Sequence, residues 1–378
     1  MMSSPMVLSL LLFASLTALL LLAPRMSPPP HAVAAAGAEA AAEEAPATAG
    51  GAAATAAGVG SGGVWGAGVG DEPDDLALFR RATLDAGAGA AASPPKVAFL
   101  FLTNSDLAFA PLWERFFAGH EGRFTVYVHA DPAARLLQPP TPSFRGRFVA
   151  AKPTRRADPS LIAAARRLLA AALLDDPANA YFALLSQSCV PLHSFPRLYA
   201  ALFPPAASAR RSLRIRPPSY IEVLTGEPQM PSRYVARGED AMLPEVPYDR
   251  FRIGSQFFTL ARRHAALVVR ERRLWRKFRL PCLPETRDYS CYPEEHYFPT
   301  LLDMADPAGV ARYTLTRVNW TGSVDGHPHT YTAPEVTPGL IDELRASNNT
   351  HPFMFARKFA PDCLGPLLAI ADSVIFKD

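Results

Sequence analysis

An α/β fold organised on a parallel sheet is what this chain predicts, and three stretches predict it. Lys96 to Thr103 reads Lys-Val-Ala-Phe-Leu-Phe-Leu-Thr, a continuous apolar run of the kind found in strands buried on both faces. Phe124 to His129 repeats that character after Pro111 to Phe117, a helical stretch opened by proline, so the three make a strand, helix, strand unit. Tyr181 to Leu185 is a further apolar run behind the amphipathic stretch Ser160 to Leu174. Alternation of this kind stacks helices on the faces of parallel strands and gives this half a Rossmann-like character.

Ahead of that fold, residues 1–25 and 26–95 read as two non-globular segments, with one catalytic domain over 96–378. Met6 to Ala23 is uncharged and Leu-rich, and at about 1.5 Å per residue it just suffices to cross a thin bilayer. It reads as a retained signal anchor. The small-residue pattern Ala32-Val33-Ala34 leaves a cleaved signal peptide as the other reading, and no Lys or Arg precedes the run to set its orientation. His31 to Ala92 is rich in Ala and Gly, buries too little apolar surface to offset its ordering entropy, and reads as a disordered stem. Its Leu76-Ala77-Leu78-Phe79 patch suits a short helix.

Within the catalytic domain, Phe148 to Ala150 reads as a short third strand. Ser160 reads as the cap of its helix, with Arg166 and Arg167 on one face. Ser186 to Leu192 is a polar turn at a strand's carboxyl end, where open parallel sheets place their ligands; His129 and Asp131 hold the same position after the second strand, suited to a nucleotide. Gly254 to Leu260 reads as a turn into a strand, and Ala261 to Phe278 as one long basic helix with solvated arginines. Pro293 opens a helix carrying Glu294 and Glu295 in its first turn, with Leu301 and Leu302 seating it.

A formal charge of +3 with scattered arginines gives no support to a nucleic-acid partner. Thirty-eight prolines point to a loop-rich enzyme rather than a helical bundle. Four cysteines (Cys189, Cys282, Cys291, Cys363) fit a secretory compartment, and Cys282 with Cys291 is the favoured disulfide; two reduced cysteines remain the alternative, while the spacing lacks a zinc pattern. Asn319-Trp320-Thr321 and Asn348-Asn349-Thr350 are glycosylation sequons, meaningful for a luminal chain.

The chemistry concentrates in Cys291-Tyr292-Pro293-Glu294-Glu295-His296, adjacent acids and a histidine at a helix start. Phe355-Ala356-Arg357-Lys358-Phe359 sets two cations in an apolar segment. A carboxylate base and a cationic clamp together suit transfer from a phosphate-activated donor. An acid placed only for the helix dipole is the bland reading of Glu295, and a surface position is that of Arg357 and Lys358.

Those stretches, with Pro-Leu-Trp-Glu-Arg-Phe-Phe at 111–117, Val-Tyr-Val-His-Ala-Asp-Pro at 126–132, Ala-Arg-Arg-Leu-Leu-Ala at 165–170, Ser-Gln-Ser-Cys-Val-Pro-Leu at 186–192 and Gly-Ser-Gln-Phe-Phe at 254–258, carry a resemblance. The chain resembles the plant core-2/I-branching β-1,6-N-acetylglucosaminyltransferase-like family over nearly all of residues 96–376. The resemblance implies a GT-A type fold, a single-pass type II Golgi membrane protein with a luminal catalytic domain, and inverting transfer of a sugar, N-acetylglucosamine foremost, from a UDP-sugar to a glycan hydroxyl. It further implies no metal, which agrees with the lack of an Asp-x-Asp pair at 130–132 or 186–188. Glu295 matches the family's base, with Glu294 and His296 assisting. Lys358 and Arg357 match its diphosphate clamp, with Asp131 and His129 on the donor side. Trp320 matches an acceptor-stacking aromatic, an ordinary core Trp being the alternative, with Ser255 and Gln256 also on the acceptor side; a Trp320 in the cleft would count against glycosylation of Asn319. Arg345 and His329 are further candidate cations.

The chain departs from the family pattern at Arg156-Ala157-Asp158, where Trp-Gly is usual before Pro-Ser, at Ala165 and Gln187 in place of Glu, and at Leu224 to Pro228, where two acids are reduced to one. These departures sustain a second expectation, a transferase-derived protein that binds glycans or partners without turnover.

Overall fold

The computed structural model describes residues 73–85, 94–136, 141–204, 216–286, 291–323 and 327–378. The Met6–Ala23 run and the Ala32–Ala34 pattern lie outside them. No helix among the described residues is long and apolar enough to cross a membrane.

Along the chain come α1 (Pro73–Asp85), β1 (Lys96–Thr103), α2 (Ala110–Phe117), β2 (Phe124–Ala130), α3 (Ser160–Asp175), β3 (Asn179–Ser186) and β4 (Val190–Pro191). There follow α4 (Phe195–Leu202), α5 (Met230–Tyr234), β5 (Thr259–Ala261), α6 (Arg262–Arg270), α7 (Trp275–Phe278) and α8 (Tyr297–Ala305). The last elements are β6 (Thr316–Val318), α9 (Pro338–Arg345), β7 (Phe355–Arg357) and α10 (Leu364–Ile370). The main sheet has the order β2-β1-β3-β5: β1 is parallel to both neighbours, and β5 closes the edge antiparallel to β3. A smaller sheet, β4-β7-β6, joins β7 parallel to β6 and antiparallel to β4.

The apolar run of β1 is explained by its two neighbours and two faces. Val97, Phe99 and Phe101 point into one core with α2, α4, α9 and α10, and Ala98, Leu100 and Leu102 into another with α1, α3 and α6. Period-two alternation distributes the residues, and both destinations are dry.

Several local expectations change. Phe148 makes a single bridge to Val128 and is 39% exposed, so no third strand forms there. Ser160 does not cap α3; its Oγ accepts from the Arg155 amide at 3.0 Å. Arg166 and Arg167, expected on one face of α3, are both buried. Arg166 donates to the Glu271 carbonyl at 2.9 Å, and Arg167 grips Asp75 with two bonds of 2.8 and 2.7 Å. That Asp75 belongs to α1, whose Phe79 and Ala82 are buried against α3, so residues 73–85 of the expected disordered stem are part of the folded domain.

The expected long helix over 261–278 is two helices. Glu271 interrupts it, its carboxylate accepting from the Leu274 and Trp275 amides at 2.6 and 3.0 Å and so starting α7 anew. Nor are its arginines all solvated: Arg262 donates to the carbonyls of Leu173 and Asn179 at 3.2 and 3.0 Å. Finally, Pro293 opens a 3-10 turn, Pro293–Glu295, with α8 following only at Tyr297; Leu301 and Leu302 are buried beneath it.

Candidate active site

The Pro293–Glu295 turn is positioned from both ends. Cys291, immediately before it, is disulfide-bonded to Cys282, and the pair packs against Ala236. Tyr292 enters the turn with φ of +34°, a left-handed conformation that costs a non-glycine residue roughly 1–3 kcal/mol. Its ring lies against two guanidiniums, Arg156 at 5.4 Å and Arg233 at 4.8 Å, contacts that hold it there. On the far side the Gly254 amide donates to the Glu295 carbonyl at 2.9 Å. Only glycine fits at 254, because a Cβ there would stand 2.1 Å from the Glu222 carbonyl oxygen.

Adjacent acids then receive opposite environments. Glu295 is a quarter exposed, and its Oε2 accepts from Arg233 Nη1 at 2.5 Å. Glu294 points inward and is only 4% exposed; its Oε1 accepts from the Ala157 amide at 3.2 Å. Burial, reinforced by the charge of Glu295, pushes the Glu294 carboxyl up to about 8. His296 is fully buried and stacked 4.4 Å from Phe251. Its Nδ1 donates to the Arg252 carbonyl at 2.8 Å, leaving Nε2 as an acceptor toward Arg233 at 3.5 Å. Burial, then the Arg233 charge, holds this histidine well below its usual range, so it is neutral and orients Arg233.

Facing the turn across a cleft of about 550 Å³ stands the end of β7. Arg357 stacks 4.2 Å over the Phe257 ring, and Lys358 follows it, half-buried. The strand end is clamped from two sides: the Phe359 amide donates to Ser188 and the Tyr331 amide to the Lys358 carbonyl, at 3.1 and 2.8 Å. Thus the polar turn after β3 contributes by backbone, holding the cations in place. Burial lowers both side chains from their usual values, and Lys358 is lowered further by Arg357 and Arg156 nearby.

Trp320, 52% exposed, sits on the same cleft with Ser255 and Gln256. The core alternative for Trp320 is therefore excluded. The Ser255 amide donates to Glu222 Oε2 at 3.0 Å, and its Oγ accepts from the Phe257 amide at 3.1 Å. Asn319, beside Trp320, is half-buried and tied down by its Nδ2 to the Tyr331 hydroxyl at 3.1 Å, whereas Asn348 is exposed.

Two expected donor residues are not brought to the cleft. His129 is wholly buried, its Nε2 accepting from the Lys152 amide at 3.3 Å, and burial, with Arg167, lowers it to about 4. Asp131 is spent on its own loop. Burial raises its pKa, but hydrogen bonds from Thr154 (amide and hydroxyl, both 2.6 Å) and the Ala133 amide outweigh that. The carboxyl end of β2 is therefore a structural corner, stitched to residues 152–154. His329 pairs with Glu335 at 2.7 Å, and Arg345 donates to the carbonyls of Leu192 and Val374, so neither serves the cleft.

Other cleft residues carried no mark in the sequence. Glu222 lies two positions before the stretch where an acid is missing, and it lines the cleft with Glu227, so the count of two acids is restored from outside the motif. Burial, then Glu295 and Glu227, raises its pKa. Arg233 and Arg317 had no spacing pattern to reveal them. Arg156, at a departure from the family pattern, bonds His327 at 2.8 Å on the cleft rim. Among the described residues no cluster of His, Cys, Asp and Glu could hold a metal ion.

With this geometry in view, the core-2/I-branching enzyme model matches residues 97–345. Glycosyltransferase BC10 of Oryza sativa subsp. japonica is 31% identical over 311 residues, 70% of this chain and 73% of that protein. The chain belongs to the core-2/I-branching enzyme family. As a core-2/I-branching enzyme it is a glycosyltransferase, so the non-catalytic expectation gives way. The family match spans β1 to α9 and so contains the Glu294-Glu295 turn; Arg357 and Lys358 stand beyond it.

Proposed function

We propose that this glycosyltransferase transfers a sugar, N-acetylglucosamine foremost, from a UDP-sugar to a glycan hydroxyl with inversion and without a metal, on a GT-A type fold. The observation that carries this is that Glu295, a quarter exposed, shares a single cleft with two cations, Arg357 and Lys358. Glu295 takes the acceptor hydroxyl's proton as that oxygen bonds to the anomeric carbon; the bond from that carbon to the diphosphate oxygen breaks on the opposite face. The electron pair leaves with the diphosphate, whose developing charge Lys358 and Arg357 offset. Arg233, oriented by neutral His296, holds the Glu295 carboxylate in place. Trp320 offers an aromatic face to the acceptor, with Gln256 beside it.

The same reading places the protein in the Golgi membrane as a single-pass type II protein, anchored by Met6–Ala23 with the catalytic domain in the lumen. The buried disulfide fits that oxidising compartment.

The full-length chain in detergent, supplied with UDP-sugars and glycan acceptors in EDTA, is expected to form glycosidic product. Glu295→Gln is expected to lower kcat by roughly 10²- to 10⁴-fold with the fold intact by circular dichroism. Activity that vanishes in EDTA would remove the metal-independent part. Unchanged kcat in Glu295→Gln would remove the base assignment.

A further inference from the structure

Behind the catalytic turn lies a buried charge that nothing described so far uses. Arg237 follows the disulfide-packed Ala236, is 6% exposed, and stacks 5.3 Å over the Phe278 ring. None of its three guanidinium nitrogens finds a hydrogen-bond partner among the described residues. The same holds for one other atom close by in charge and place, Oε2 of Glu294. An uncompensated buried cation is among the costlier features a fold can keep. Glu294 is the acid whose charge acts on Arg237, and Arg237 reciprocally pulls the Glu294 carboxyl down against its burial.

Around Glu294 stand the Ala157 backbone, whose amide bonds it, and the Cys282–Cys291 disulfide, with the Cys282 sulfur against the Ala157 carbonyl at 3.8 Å. The charged and titratable groups facing Glu294 are Arg237 from the segment after α5, Glu295 from its own turn, and beyond that Arg233 and neutral His296.

We propose that Arg237 and Glu294 form a pH-sensitive pair behind the base, in which the buried cation acts through Glu294 to set the charge beside the Glu295 carboxylate. At neutral pH Glu294 keeps its proton, so Glu295 is the sole anion of the pair and its neighbour does not repel the donor diphosphate. As pH rises, Glu294 ionises against Arg237, a second negative charge appears beside the base, and turnover falls. Without Arg237 that ionisation has no counter-charge and moves to higher pH.

The proposal rests on Glu295 as base, and its test reads stability as well as activity. The folded pKa of Glu294 lies above its unfolded value of 4.5. Its stabilising contribution is therefore present below that value and lost as pH rises to about 8. Melting temperatures and donor kcat and KM of the full-length wild type, Arg237→Met, Arg237→Lys, Glu294→Gln and the Arg237→Met/Glu294→Gln double variant are compared from about pH 5 to 9. Glu294→Gln is expected to flatten the fall in melting temperature and to remove the alkaline limb of kcat. Arg237→Met is expected to move that limb to higher pH, and Arg237→Lys to keep it. In the double variant the pH dependence introduced by Arg237→Met disappears. If Arg237→Met changes melting and kcat equally at every pH, and adds to Glu294→Gln without interaction, the proposal is overturned. Should Arg237→Met not fold, an unchanged alkaline limb in Glu294→Gln overturns it alone. A failure of the base assignment would instead show as an active Glu295→Gln enzyme, with the coupling in the melts intact.

Discussion

At the level of single residues, Glu294 and Glu295 differ in nothing but direction. A 3-10 turn separates successive side chains by about a third of a turn, enough to send one carboxylate to a guanidinium at the cleft and its neighbour into the interior. Local pattern placed both acids at a helix start without saying which faced inward; only the family resemblance singled out Glu295. The sharpest residue-scale prediction concerns Gly254, where glycine lets three segments, carrying Glu222, Ser255 and Glu295, pass within contact of one another. Gly254→Ala must push Glu222 and the base apart. Its kcat/KM is expected to fall about 100-fold while the circular dichroism spectrum is retained, since displacements of this size cost catalysis more than folding. Steady-state kinetics beside far-ultraviolet spectra check it.

At the level of elements, the three long parallel strands were legible, while the short strands and the helix ends were not. β1, β2 and β3 are written as unbroken apolar runs because both of their faces are dry, and their observed bounds extend the expected ones by at most two residues at an end. The helix expected over 261–278 failed because its interruption depends on one side chain, Glu271, turning back on its own backbone. Asp131 misled for a related reason: an acid at a strand end is equally suited to a ligand and to its own loop, and the amides of Ala133 and Thr154 were nearer. The helix α1 shows the reverse case, a segment read as stem that supplies Phe79 and Asp75 to the domain. Phe79→Ala is expected to destabilise the domain by about 3 kcal/mol or more, because a buried aromatic leaves a cavity and uncovers the Arg166 guanidinium 4.6 Å from its ring. Urea titration of the variant against the wild type measures this; a free-energy change near zero would return α1 to the stem.

For the whole molecule, compartment and covalent state are linked. A chain delivered to the secretory lumen meets oligosaccharyl transfer, and the two sequons stand in unlike settings: Asn348 is exposed, while Asn319 is hydrogen-bonded beside a cleft tryptophan. Expression in a secretory host is expected to give a glycosidase-sensitive shift in mobility that Asn348→Gln removes and Asn319→Gln leaves in place. A shift that survives Asn348→Gln contradicts this.

By itself the sequence determined the α/β class, the parallel strands, the acid pair and the cationic pair, because each is local: a hydrophobic period, a proline, or two adjacent charges. Only the tertiary structure decided that Glu295 faces the cleft, that Asp131 and His129 do not, and that Glu222, Arg233 and Arg237 belong to the site's surroundings. Those assignments arise where segments far apart in the chain converge, at Gly254, at the disulfide and at the end of β7. Burial and charge there depend on neighbours that no local pattern encodes.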